Sequence, residues 1–273
     1  MTGGVNGARE TPRLAFGPSV QPGASAGKRM LPEEVAVALS FNGTTQAVMM
    51  ATPEDLVDFG TGFALTEGIA APAEILSVAV ESLAKGRDVQ LWLVPEAEGR
   101  LQARRRTMTG PVGCGLCGID SLDQALRDVP AVAPSSFRMT PAQVMAAVAS
   151  LPGHQRLHDA TRAVHCAAFW NGKLALSRED VGRHNALDKL VGAMARSGVS
   201  PLGAVVLTSR VSIDMVQKVA MLGAPMLIAV SAPTADAVAL AESAGITLIA
   251  LARPDRFEAF THTDRITEKS HVG

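Results

Sequence analysis

Two of the three cysteines in this chain stand close enough to act together. Cys114 and Cys117 form a C-x-x-C pair, with Gly113, Gly115 and Gly118 around it and Arg104, Arg105 and Arg106 just upstream. Glycine brings backbone freedom at the cost of order, so 104–118 reads as an exposed loop. Asp120 or Ser121 can cap a following helix through Leu122, Ala125 and Leu126. That sets the thiols just ahead of a helix N-terminus, where the positive helix end and nearby arginines favour thiolate over thiol. A free cysteine titrates near ~8.5, so a modest downward shift yields a nucleophile at neutral pH. Four readings of the pair are open. It is an incidental or buried pair, half of a zinc site, a dithiol–disulfide redox centre, or a sulfur carrier in which one cysteine holds a persulfide. Zinc needs further ligands, and only Cys166 and six histidines remain, without a second C-x-x-C. The spacing alone does not choose among the four.

A second stretch with chemistry in it is Ser177-Arg178-Glu179-Asp180-Val181-Gly182-Arg183-His184-Asn185-Ala186-Leu187-Asp188-Lys189. It reads as the start of a helix over 179–195, with Asp180, Arg183, His184 and Asp188 on one face. That face is either solvated and tied by i,i+4 ion pairs, or it lines a site where His184 donates or accepts and Arg183 clamps an oxyanion. A third set follows three short apolar strands. These residues are Thr208-Ser209-Arg210, Ser231-Ala232-Pro233-Thr234 and Ala252-Arg253-Pro254. In sheets with parallel strands ligands sit beyond the carboxyl ends. Helix N-termini at Ser212 and Thr234, with Arg210 and Arg253, suit an anion or phosphate there; the alternative is ordinary loops and caps. No Walker or Rossmann glycine fingerprint is present.

The elements that must hold these residues fall into three parts. Residues 1–30 are rich in Gly, Pro, Ser and Arg without an apolar period, and read as a disordered tail. Residues 31–135 form a smaller β-rich α+β part carrying the C-x-x-C loop. It holds a hairpin through Asn42-Gly43, a helix capped by Thr52 with Pro53 in its first turn and ending before Gly68, and strands over 75–80, 89–94 and 101–105. Residues 136–273 form the α/β part, where a hairpin over 163–176 gives way to strand–helix alternation with short loops, the pattern of parallel strands with right-handed crossovers. Cys166 reads as a buried strand residue, and His154 and His158 as surface residues.

Composition sets limits. The chain has 273 residues, 47% hydrophobic and 19% charged, no tyrosine and a formal net charge of −1. The length supports one large domain or two small ones. The charge argues against bulk nucleic-acid binding. Three cysteines make no disulfide framework and fit a reducing compartment. No run of about 18 apolar residues suggests a membrane span, and the N-terminus shows no secretory signal, so the expected location is the cytoplasm.

Several blocks, in order from about residue 33 to 267, resemble the formate dehydrogenase accessory sulfurtransferase family. They include Gly62-Phe63-Ala64-Leu65-Thr66-Glu67-Gly68, Cys114-Gly115-Leu116-Cys117-Gly118, Thr161-Arg162-Ala163-Val164-His165-Cys166, Arg178 to Lys189, Thr208-Ser209-Arg210, and Arg256-Phe257 to Arg265-Ile266. The resemblance implies a cytidine-deaminase-like mixed α/β sheet with flanking helices and a homodimer. It implies transfer of sulfur from a cysteine desulfurase to the molybdenum cofactor, bis(molybdopterin guanine dinucleotide), bound as cargo for formate dehydrogenase. It implies Cys114 as the persulfide cysteine, Cys117 as its partner, and cofactor binding on Phe257, Glu258, Ala259, Phe260, Thr261 and His262; Arg210, Arg183 and His184 are further candidates for cofactor contacts. No metal of its own, no nucleic acid and no membrane partner is expected. The zinc deaminases, a rival on the same fold, need H-x-E or C-x-E plus P-C-x-x-C. Here His165 is followed by Cys166-Ala167, and Pro111 is not adjacent to Cys114. A zinc-binding scaffold and a cofactor escort without sulfur transfer remain the alternatives.

Overall fold

The computed structural model describes residues 5–17, 25–105 and 129–268, without the side chains of 102–105. The C-x-x-C loop and the helix expected near 120–128 lie outside the described residues, as do the side chains of the arginines at 104–106.

The first correction is at the N-terminus. Part of the expected tail is a two-stranded antiparallel hairpin, β1 (Ala8–Ala15) with β2 (Ser25–Pro32). Its side chains are almost all exposed or half-exposed, so it has no core face and no apolar period to betray it. Backbone pairing and a few contacts at its base hold it, among them the Arg29 guanidinium donating to the Thr161 carbonyl at 3.4 Å.

Beyond it a four-stranded sheet runs in the order β4 (Thr44–Ala51), β3 (Val35–Phe41), β6 (Gly86–Leu93), β5 (Ile75–Leu83). Alternating Val37, Leu39 and Phe41 with Val89, Leu91 and Leu93 form its buried face, the period of two expected of a sheet covered on one side. The cover is α1 (Leu56–Thr66). Its N-cap is Asp55 rather than Thr52, because Thr52 is engaged elsewhere. The second correction is α2 (Pro95–Arg105), a helix where a strand over 101–105 and a turn at Glu98-Gly99 were expected. Proline in the first turn, Glu96 and Glu98 near the positive helix end, and Ala97 and Leu101 buried one turn apart account for it. The cysteine segment therefore follows a helix.

The second sheet has six strands, in the order β12 (Arg256–Ala259), β11 (Thr247–Arg253), β10 (Met226–Ala229), β9 (Ala204–Leu207), β7 (His165–Trp170), β8 (Leu174–Asp180). β9, β10 and β11 are parallel, and β7, β8 and β12 run antiparallel to their neighbours, giving the mixed α/β sheet with flanking helices. Val205, Leu207, Leu227, Ala229, Leu248 and Ala250 point to one face, packed by α5 (Arg183–Arg196), α6 (Ile213–Leu222) and α7 (Ala235–Ser243). Ala204, Val206, Met226, Ile228 and Ile249 point to the other, packed by α3 (Pro141–Ser150). Burying each large aliphatic side chain contributes roughly 1.5–3 kcal/mol. A short helix, α4 (Arg156–Thr161), precedes β7.

The two parts meet where α1 crosses α5, and glycines permit the approach. A Cβ on Gly62 would stand 1.7 Å from the Asp188 carbonyl oxygen, and one on Gly192 would stand 1.9 Å from that of Asp58. Gly60, on the other side of α1, faces Val89 of the sheet. The polar block 177–189 is largely absorbed by this seam, and α5 starts at Arg183 because β8 continues to Asp180. Asp180, fully buried, accepts from the Thr52 amide at 3.0 Å and hydroxyl at 2.8 Å, from Asn185 Nδ2 at 3.0 Å, and pairs with the buried Lys189 at 2.6 Å. Arg178 holds Asp58 at 2.7 Å, and Arg196 holds it too. Lys218 of α6 donates to Asp188, Glu67 and Thr66. Burial works to lower its pKa, but Asp188 and Glu67 outweigh that and raise it, so it stays charged. Asp180, Arg183, His184 and Asp188 thus do not share one face. Asp180 closes a strand, and Asp188 is locked between helices.

Candidate functional site

Register decides what gathers at the sheet edge. His165 at the start of β7 pairs with Asp180 at the end of β8, and Ala167 pairs with Leu207 at the end of β9. The start of β7 therefore shares an edge with the carboxyl ends of β8 through β11. A cleft of about 690 Å³ opens at this edge. Its polar lining is Gln155, His158, Arg162, His165, Thr208 and Arg253, and its apolar wall includes Val148 and Leu151 of α3. Such a mixture, apolar walls with a few converging polar groups, suits a flat ring system bearing anionic groups.

Each polar group has a local reason for its place. Glu179 caps α4, its two carboxylate oxygens accepting from the amides of Leu157 and His158 at 2.8 Å each. The His158 ring Nδ1 lies 3.2 Å from the Val164 carbonyl. A carbonyl only accepts, so Nδ1 carries the proton in this contact. Burial, then Arg183, lower the pKa of His165, so it is neutral at physiological pH. Arg162 occupies the left-handed position that ends α4. Arg253 follows a bulge in β11 that holds Leu251 at φ 51°, and its guanidinium donates to the Val230 carbonyl at 2.5 Å. A left-handed leucine is strained backbone that only its surroundings sustain, and here it sets Arg253 on the cleft.

Cys166 is the one cysteine among the described residues, and it is 1% exposed. Burial, with Glu179 adding to it, pushes its thiol up to about 12. It is not a thiolate at neutral pH. No group of three or more His, Cys, Asp or Glu side chains among the described residues is arranged to hold a metal ion.

The sequence-based candidates divide. Arg183 and His184 open α5 at the same edge. His184 is buried and pairs through Nε2 with Asp214 in the first turn of α6. Burial pulls its pKa down to about 4 against the attraction of Asp214, so the neutral ring donates to the carboxylate. Arg210 is exposed and does not line the cleft. The segment from Phe257 to His262 begins near the cleft and runs away from it. Phe257 packs half-buried against the α3 face, Glu258 and Ala259 pair with Ala250 and Ile249, and Phe260 is 38% exposed. Thr261 accepts from the Leu248 amide at 2.8 Å and donates to the Ile246 carbonyl at 2.6 Å, and His262 lies 2.8 Å from the Glu242 carbonyl. Those last contacts lie at the amino end of β11, far from the cleft. The sequence reading missed Gln155, Arg162 and His165 as site residues and placed His158 at the surface. Their signal was topological: only the antiparallel insertion of β7 turns them to the ligand edge.

Fold and edge together define an α/β protein with a cleft beyond the carboxyl ends of its parallel strands. The chain belongs to the FdhD/NarQ family, whose profile matches residues 32–267. It is 53% identical over 247 residues to the sulfur carrier protein FdhD of Agrobacterium fabrum, covering 89% of this chain and 91% of that one. It is 52% identical over 251 residues to the sulfur carrier protein FdhD of Brucella abortus, covering 90% and 93%. The crystal structure of a candidate formate dehydrogenase accessory protein from Desulfotalea psychrophila superposes with a TM-score of 0.74 at 24% identity, covering 95% of this chain and 99% of that one. It shares the fold. Among the described residues no helix is long and apolar enough to cross a membrane.

Proposed function

We propose that the chain is a sulfur carrier in the maturation of formate dehydrogenase. In this reading the Cys114 thiolate attacks the outer sulfur of a cysteine desulfurase persulfide. The donor S–S bond breaks, the donor cysteine leaves as a thiolate, and Cys114 becomes the persulfide, with no external oxidant or reductant needed. The sulfur then passes to the molybdenum cofactor, bis(molybdopterin guanine dinucleotide), held as cargo, and Cys117 serves as the partner thiol. The relatives' names support the carrier role. The observation that carries the assignment to residues is the state of Cys166. Buried, and pushed to about 12, it is poorly suited to hold a persulfide, which favours the other two cysteines of the sequence, Cys114 and Cys117.

The cleft suits such a cargo. Its apolar wall takes a ring face, and Arg162 and Arg253 meet phosphates. Arg183 and Arg210 extend the positive edge. In the segment from Phe257 to His262, Phe257 stands at the end near the cleft and is the ring assigned to stack on guanine. Action as a homodimer in the cytoplasm completes the reading. The test is formate dehydrogenase activity in cells that depend on this chain. Cys114→Ala is expected to abolish it and Cys166→Ala to keep it within about twofold. Full activity with Cys114→Ala would make the chain an escort without sulfur transfer and overturn the reading.

A further inference from the structure

Three of the six polar residues that line the cleft stand on one short element: Gln155 precedes α4, His158 lies within it and Arg162 ends it. α4 has six residues, and a helix of that length is marginal without support from outside. Gln155, its N-cap, makes no side-chain cap bond. Buried Leu157 and Thr161 seat the helix, but the direction of its first turn is held from β8. Both carboxylate oxygens of Glu179 are spent there, accepting from the amides of Leu157 and His158 at 2.8 Å each. Glu179 itself does not line the cleft. Alternation along the strand explains its direction. Arg178 and Asp180 face the seam, where they hold Asp58 and Lys189, and Glu179 between them faces α4. A half-buried carboxylate is costly unless its oxygens are satisfied. Burial raises the pKa of Glu179 although both amide bonds oppose the rise. His158 is held at two points, its amide by Glu179 and its ring by the Val164 carbonyl, so its place follows the first turn closely.

We infer that Glu179 is a positioning residue for the cleft: by clamping the first turn of α4 it sets the pose of His158 and Arg162, and through them the affinity of the cleft for its ligand. It touches no ligand and acts through α4 alone. The inference rests on the reading of this cleft as the cargo site. It assigns the three consecutive charges of β8 to two tasks, Arg178 and Asp180 to the join between the two parts of the chain and Glu179 to the cleft.

The test is a double-mutant cycle on the full chain, read by calorimetric titration with guanosine diphosphate, the nucleotide end of the proposed cargo. Glu179→Gln keeps the shape of the side chain but turns a donor toward one of the two amides. It is expected to weaken binding about tenfold, the loss of one charge-assisted hydrogen bond. Arg162→Met is expected to weaken it by at least as much. Because Glu179 acts through the residues of α4, the double variant is expected to bind within about threefold of Arg162→Met, well short of the product of the two losses. Hydrogen exchange of the free chain is the second measurement. In Glu179→Gln the amides of 157–162 are expected to exchange at least about tenfold faster, with those of β9 and β10 unchanged. Wild-type affinity in Glu179→Gln, losses that multiply in the double variant, or unchanged exchange in α4 overturns the inference and leaves the reading of the cleft standing. Faster exchange throughout the chain would make Glu179 a residue of the global fold and overturns it as well. No binding of the diphosphate by wild type removes the reading of the cleft, and the inference with it.

Discussion

The α1–α5 seam and the carboxyl edge of the large sheet share one stretch of sequence and treat polar groups in opposite ways. In the seam the buried charges find protein partners: Lys189 with Asp180 and Thr52, Lys218 with Asp188 and Glu67, Asp58 with Arg178 and Arg196. Backbones touch through Gly62 and Gly192. At the edge, Arg183 Nε and Ser212 Oγ meet no partner among the described residues, and a cleft lined by His158, Arg162, His165, Thr208 and Arg253 opens along it. Burying charge is tolerated only where partners are complete. The contrast therefore separates buried charges that complete one another within the fold from polar groups left open at the sheet edge. It divides the block from Ser177 to Lys189 between the two roles.

The largest effect is expected where the seam has no room. Gly62→Ala would drive a Cβ into the Asp188 carbonyl, and helices cannot part without breaking the ion pairs beside them. A loss of more than about 4 kcal/mol is expected, read as failure to recover folded protein or a collapsed melting temperature. Next comes Lys189→Met, which leaves Asp180 buried and uncompensated. It is expected to cost about 3–5 kcal/mol by chemical denaturation. A small effect for either would mean that the seam is looser than its geometry.

The third effect tests the link between the regions. His184 titrates at about 4 in the fold and near ~6.5 unfolded. Below pH ~6.5 the unfolded chain binds a proton that the native ring refuses, so stability falls as pH drops from there toward about 4. The loss attached to this residue is at most about 3 kcal/mol. Melting curves between pH 7 and 5 are expected to show it, and His184→Gln is expected to flatten that slope. The smallest effect sharpens the contrast between capped and uncapped helices. Thr234→Ala is expected to cost about 1 kcal/mol and Ser212→Ala much less, because the Ser212 hydroxyl makes no cap bond in the protein alone. Equal losses would put Ser212 among the structural caps.

Local patterns carried much of this architecture into the sequence. Alternation in β3 and the Asn42-Gly43 turn are readable without coordinates. The strand–helix alternation after residue 200 is readable too, and with it the edge where a ligand belongs. What was not readable depends on distant partners. Thr52 looks like a helix cap until Asp180, 128 residues away, claims its hydroxyl. The polar start of α5 looks like a site or a solvated face until α1 is laid against it. In α2 the signs at Pro95, Glu96 and Glu98 were present, but Gly99 in the middle suggested a turn. His158 and His165 look incidental until β7 is inserted antiparallel. The β1–β2 hairpin, lacking a buried face, leaves no periodic trace.

The most direct test of the account is mass spectrometry of the full chain after incubation with a cysteine desulfurase and cysteine, with peptide mapping. One added sulfur on Cys114, removed by reductant and absent from Cys166, is the result expected. Sulfur found on Cys166, or no sulfur on any cysteine while the desulfurase turns over, would contradict it.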